Sequence, residues 1–288
     1  MREGERHVAK ISSAACGYGF TLMASSTKDV TKLWGMGLNK DSQLGFQRTQ
    51  HSRSKIRAGL LLPSSPLRYI VITETPDSVF SCFFFPGLGH HNISSCPVEV
   101  GGDLAGVEVQ QISSYGDCSL AVSRDGQLFG WGNSEYRQLA SVSESTQINS
   151  PRRLPLKGCG KVVQAACGGT QVAVLNEKGQ VFVWGYGILG KGPKLSESSS
   201  PEMIPSSLFG RSEFSPSVAV VQIRCGLSHF AAVTDGGELF VWGKNVRGCL
   251  GIGKRDDQFF PWRVTVPGQV VDVACGVDHM VALVKSLL

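Results

Sequence analysis

Long apolar runs are missing from this 288-residue chain. Leu60-Leu61-Leu62 and Phe83-Phe84-Phe85 are each cut short by a proline, and no segment has the length of a membrane-spanning helix. Charge is sparse as well, at 18% of residues against 42% hydrophobic, which excludes a disordered polar chain and points to a globular, β-rich one. The first residues, Met1-Arg2-Glu3-Gly4-Glu5-Arg6-His7, carry two acids and no apolar stretch, so they read neither as a secretory signal nor as a mitochondrial presequence. No paired carboxylates, no Ser-His-Asp set and no Cys-His pair stand out, so the chain reads as a non-enzyme without a cofactor. Acidic residues are absent from 42–73, whereas Arg48, Arg53, Lys55, Arg57 and Arg68 fall inside it.

What is present is a repeat. Apolar strands end in Trp-Gly at Trp34-Gly35, Trp131-Gly132, Trp184-Gly185 and Trp242-Gly243. Ahead of each lies a second signature: Ala15-Cys16-Gly17, Ser113-Ser114-Tyr115-Gly116, Ala166-Cys167-Gly168 and Arg224-Cys225-Gly226. A fifth copy, Ala274-Cys275-Gly276, has no Trp-Gly after it. The period is about fifty residues, the length of a propeller blade. Between the signatures, Arg124-Asp125-Gly126, Glu177-Lys178-Gly179 and Asp235-Gly236-Gly237 are tight-turn signals. Each repeat is therefore a small antiparallel sheet that needs a neighbour to cover it, and β structure with little helix is predicted over residues 100–288.

The copy from Ile223 to Gly251, Ile-x-Cys-Gly-x-Ser-His through Leu-Phe-x-Trp-Gly to Gly-x-Leu-Gly, resembles the repeat of the regulator of chromosome condensation family. Residues 10–45 and 87–288 carry the resemblance, most closely to the family's mitochondrial members. It implies one all-β propeller domain over 1–288, with a first repeat at 10–45 and regular repeats with a terminal half-repeat at 87–288. Residues 46–86 fit no repeat. Family members have seven blades. Five Cys-Gly halves and four Trp-Gly halves imply an incomplete or open ring, either a shortened product lacking an N-terminal strand and roughly two blades or a divergent member with fewer blades.

Three features look like chemistry. Cys16, Cys167, Cys225 and Cys275 hold one repeat position and read as small buried residues at a tight contact. Cys225 with His229 and Cys275 with His279 lack convergent further ligands for zinc, and the histidines are expected to hydrogen-bond within their own blades. Gly185-Tyr186-Gly187-Ile188-Leu189-Gly190-Lys191 matches a nucleotide-binding glycine pattern, but Gly192-Pro193 follows instead of a helix, and the segment aligns with the repeat turn at Gly243–Gly251. The basic stretch around Arg53, Lys55 and Arg57 reads either as a contact to RNA or a partner, or as a solvated junction.

The resemblance implies a guanine-nucleotide exchange factor acting on a dynamin-like GTPase of the mitochondrial inner membrane and associated with the mitochondrial ribosomal RNA module. The alternatives are an RNA- or ribosome-associated scaffold without exchange activity, and an inactive truncated form. Mitochondrial location, in the matrix or peripheral to the inner membrane, follows from the resemblance alone.

Overall fold

The computed structural model describes residues 10–17, 20–26, 31–37 and 94–285. The first sheet joins β1 (Lys10–Cys16), β2 (Phe20–Ser26), β3 (Thr31–Gly37) and β4 (Ser94–Glu99). The second joins β5 (Val109–Tyr115), β6 (Cys118–Ser123), β7 (Leu128–Asn133) and β8 (Gln147–Arg153). β9 (Val162–Cys167), β10 (Gln171–Asn176), β11 (Val181–Tyr186) and β12 (Glu197–Met203) make the third. β13 (Val220–Cys225), β14 (His229–Thr234), β15 (Leu239–Gly243) and β16 (Gln258–Val264) make the fourth. A two-stranded sheet, β17 (Gln269–Cys275) and β18 (Met280–Lys285), ends the described chain. All pairings join strands consecutive in sequence and run antiparallel. The sheets are four blades and the first half of a fifth in a propeller arrangement, which matches the five Cys-Gly and four Trp-Gly halves. The helical pieces among the described residues are three 3-10 turns, and none of the helices is long and apolar enough to cross a membrane.

The second strand of each blade explains why the sequence shows no alternation. Every residue of β6, β10 and β14 is buried, because one face meets the preceding blade and the other the following one. A strand covered on both sides reads as an unbroken apolar run such as Val172-Ala173-Val174-Leu175. The inner strands β5, β13 and β17 each break register once, between Val109 and Gln111, Val220 and Gln222, and Val270 and Asp272. Such a bulge bends the strand and re-aims the following side chain. Here it aims at the next blade. Gln111 Nε2 donates to the Ala165 carbonyl at 2.8 Å while Gln111 Oε1 accepts from the Ala165 N–H at 2.8 Å. Gln164 Oε1 accepts from the Ile223 N–H at 2.6 Å, and Gln222 Nε2 donates to Asp272 Oδ1 at 2.6 Å. At the far end of the same seams, the carbonyls of Gly126, Gly179 and Gly237 accept from the N–H groups of Val162, Val220 and Val270.

Two repeat positions differ from the sequence expectation. In the second blade Ser114 pairs with Ser119 as Cys167 pairs with Val172, so Ser114 stands at the repeat cysteine position and Tyr115 takes the glycine's place. In the first blade Met36 pairs with Thr21, the place that Trp184 holds against Val172, and Trp34 lies two residues earlier, half-buried. The extra Met36-Gly37 pair after Trp34-Gly35 carries the strand on before its turn. Trp131, Trp184 and Trp242 do hold equivalent places, opposite Ser119, Val172 and Phe230, and each is at most 2% exposed. The expectations for residues 46–86 lie outside the described residues.

The three tryptophans differ in one respect. Trp184 Nε1 donates to the Gln138 carbonyl at 2.7 Å, from the turn that follows β7. Trp242 Nε1 is buried with no hydrogen-bond partner. The turn after β11 is three residues shorter than the turn after β7, counted from the Trp-Gly glycine to the buried leucine (Gly185 to Leu189 against Gly132 to Leu139), and Gly190 packs directly on the Trp242 indole. The shortening leaves no carbonyl where Gln138 would offer one. Replacing Trp184 with Phe therefore orphans a carbonyl, whereas replacing Trp242 with Phe removes an already unpaired donor. The first substitution is expected to cost about 1–2 kcal/mol more than the second in urea unfolding. Equal costs would contradict this difference, and truncation of either to Ala should cost about 3–5 kcal/mol.

Candidate functional site

The Cys-Gly and Trp-Gly turns lie at the same end of every blade, because antiparallel pairing brings the start of the second strand beside the end of the third. The two glycines serve different ends. At the Trp-Gly positions φ is +95° at Gly132, +103° at Gly185 and +113° at Gly243, a region that L side chains avoid. After the repeat cysteines no positive φ is involved; the need there is space. A Cβ on Gly168 would lie 3.0 Å from the Gly226 carbonyl of the next blade, and one on Gly226 would run into the His229 ring and the Gly276 carbonyl. Gly169 N–H then donates to the Leu227 carbonyl at 3.0 Å. Successive turns thus stack closely, blade on blade.

This turn face carries much of the exposed apolar surface. Tyr136, from the turn after β7, and Tyr186, the last residue of β11, stack with ring centroids 5.9 Å apart. Leu227, Val246 and Val277 are exposed beside the turns of the fourth and fifth sheets. Charged groups are interleaved: Arg247, whose φ is +54°, holds Asp278 through Nη1–Oδ2 at 2.7 Å, and Arg137, φ +61°, holds Glu197 at 3.2 Å. Cys225 of the fourth sheet and Asp278, between the strands of the fifth, both act on Tyr115 of the second. Burial, then Cys225 and Asp278, push the Tyr115 phenol above its usual value. Sequence reasoning missed this grouping because its members lie in separate repeats. The seam glutamines were missed too, although Gln164 and Gln222 both stand three residues before a repeat cysteine, a regularity that marks them.

The repeat cysteines do not all hold the buried position expected of them: Cys167 is buried, Cys225 and Cys275 are half-buried, and for these last two the surrounding protein disfavours the thiolate. Burial pushes Cys275 up to about 12, and burial, then Cys275 and Cys167, push Cys225 well above the ordinary thiol range. Cys118 is raised by its contact with Cys167 and by burial. Cys16 is exposed. Thiols held in the protonated form are poor nucleophiles and poor metal ligands. Among the described residues no group of three or more His, Cys, Asp or Glu could hold a metal ion. The Gly185–Lys191 segment is the shortened turn after β11, with Lys191 Nζ on Glu202 Oε2 at 2.6 Å and no helix following. Arg53, Lys55 and Arg57 lie outside the described residues.

His229 departs from expectation. His229 is 1% exposed, and its Nε2 has no partner. It meets the backbone of His279, in the next sheet and not its own, because Gly226 and Gly276 let the two turns close up. His279 is exposed, 3.7 Å from Asp278. Burial lowers the His229 pKa, with the His279 ring adding to it, against opposing contributions from the His279 backbone and Asp278.

The repeat model described as "Regulator of chromosome condensation (RCC1) repeat" matches residues 125–175, 178–233 and 236–283. The "RCC1-like G exchanging factor-like protein" of Mus musculus is 52% identical to this chain, across 97% of the chain and 77% of the relative. The chain belongs to the regulator of chromosome condensation repeat family. The human protein of the same name is equally similar, at 52% over the same shares. The alignment runs over 357 residues, more than the 288 of this chain, so these RCC1-repeat relatives carry internal residues without a counterpart here. The crystal structure of human WBSCR16 superposes with a TM-score of 0.68 at 50% identity, covering 96% of this chain and 88% of that one. Prp20p of Saccharomyces cerevisiae, 17% identical with a TM-score of 0.68 over 97% of this chain and 57% of its own, shares the fold.

A lowered His229 pKa has a signed consequence. The unfolded chain takes up the proton first as pH falls through about 6.5, so this family member loses stability below that pH. The advantage of the native protein over His229→Gln in melting temperature should therefore shrink between about pH 8 and about pH 5.5. A constant difference would mean that the ring is not held neutral.

Proposed function

We propose that this chain is a regulatory propeller that uses its turn face to bind a GTPase and promote release of its guanine nucleotide. The observation that carries the reading is the composition of that face: stacked Tyr136 and Tyr186, exposed Leu227 and Val277, and the Arg247–Asp278 pair. Apolar and aromatic anchors rimmed by charge suit a protein partner. An exchange factor breaks no bond in its own site. It stabilises the nucleotide-free state of its partner, which requires a rigid, shaped surface and no catalytic acid or base. The relatives named as RCC1-like G exchanging factor-like proteins support this reading. Prp20p, which shares the fold, is itself a binder of Gsp1p and histones.

For this chain the partner is taken to be a dynamin-like GTPase of the mitochondrial inner membrane, with the mitochondrial ribosomal RNA module as a second association and the mitochondrion as the place of action. A second reading, an RNA-associated scaffold, is favoured by the acid-free basic stretch holding Arg53, Lys55 and Arg57.

The test is release of a fluorescent guanine nucleotide from the purified GTPase. The chain should accelerate release, and Leu227→Asp should abolish most of the acceleration while leaving the melting temperature unchanged. No acceleration by a folded chain would overturn the exchange reading. RNA binding that weakens steeply with salt and disappears on neutralising Arg53, Lys55 and Arg57 would establish the scaffold.

A further inference from the structure

Two positions in the second strand of each blade tell what the last sheet lacks. Leu22 and Ala24 of β2, Leu120 and Val122 of β6, Ala173 and Leu175 of β10, and Ala231 and Val233 of β14 stand at the same places in the register, and none is more than 3% exposed. β18 puts Val281 and Leu283 in those places, and they are 66% and 63% exposed.

What covers the others is the inner strand of the following blade. Val162 and Ala165 of β9 share a core with Leu120 and Val122. Val220 and Ile223 of β13 do so with Ala173 and Leu175, and Val270 and Val273 of β17 with Ala231 and Val233. An inner strand therefore has its own matching face. In β1 that face is also open. Ala14 stands where Ile112, Ala165, Ile223 and Val273 are buried, yet Ala14 and Cys16 are exposed. Among the described residues, the two halves of one blade seam are thus uncovered at opposite ends of the blade series.

We propose that this chain associates head to tail with a second copy of itself, the β18 face of one copy receiving β1 of the next. The contact repeats a geometry the chain already forms between its own blades: two apolar side chains of a second strand under an inner strand. It joins different surfaces, so it is heterologous, and it continues from copy to copy unless the rotation closes a ring. It lies on the sheet faces at the two ends of the blade series and does not depend on the GTPase reading.

Sedimentation velocity of the 288-residue chain tests it, together with Val281→Asp/Leu283→Asp on one face and Ala14→Arg on the other. The native chain should form species larger than dimers as concentration rises. Each variant alone should be monomeric with an unchanged melting temperature. An equimolar mixture of the two should form a discrete dimer, because one intact pair of faces remains. A monomeric native chain at every concentration would overturn the proposal, as would a dimer that the mixture of variants fails to restore, since that pattern belongs to a two-fold contact. Should a variant not fold, hydrogen exchange in the native chain decides. Protection at 281–283 must rise with concentration, and protection independent of concentration would mean that the chain covers this face itself.

Discussion

The tight approach of successive Cys-Gly turns sets the geometry of everything around them. Gly226 faces the carbonyl of Gly276, and Gly168 that of Gly226, at distances where a methyl group would not fit. Because the backbones come this close, the His229 ring is sealed from solvent, Cys225 and Cys275 lie where ionisation is penalised, and the turn residues beyond them are held as one continuous face. A side chain at any of these glycines would spread the turns and take the face with it.

The blade grammar was readable because it is written several times. A lone Phe-Val-Trp-Gly could be many things; repeated about every fifty residues with a hairpin signal between, it specifies a strand and its neighbours. What the repeat could not give was register in the irregular copies. Ser114 and Tyr115 both lie before a glycine, and only the pairing with Ser119 and Cys118 decides which of them is the counterpart of the cysteine. Trp34 is followed by a second dipeptide ending in glycine, and the longer strand moves it off the common position. Contacts across repeats were equally hidden, as with the Gln111 side chain on the Ala165 peptide, because nothing in the sequence says how far each sheet turns from the last.

The irregular turns also show how the fold absorbs local change. The three-residue shortening after β11 does not disturb Trp242's packing: Phe230 stacks on it at 5.0 Å and Phe209 meets it edge-on at 5.8 Å. The loss is confined to one hydrogen-bond donor. Dense packing on both sides holds the indole in place while its polar group goes unmatched, so apolar contact, not the hydrogen bond, fixes this position.

The seam glutamines have a consequence for how such chains change length. Gln111 and Gln164 address the peptide groups of the next inner strand and not its side chains. A peptide group is the same in every repeat, so these two joints are not tied to one particular successor, whereas Gln222 reaches the Asp272 side chain. Interactions that reach only the nearest neighbour let whole units be gained or lost with damage limited to the two seams beside them. In that sense the fold is modular in the way a masonry course is: each unit is cut to a common joint, and the number of units is free to drift while the joint stays the same.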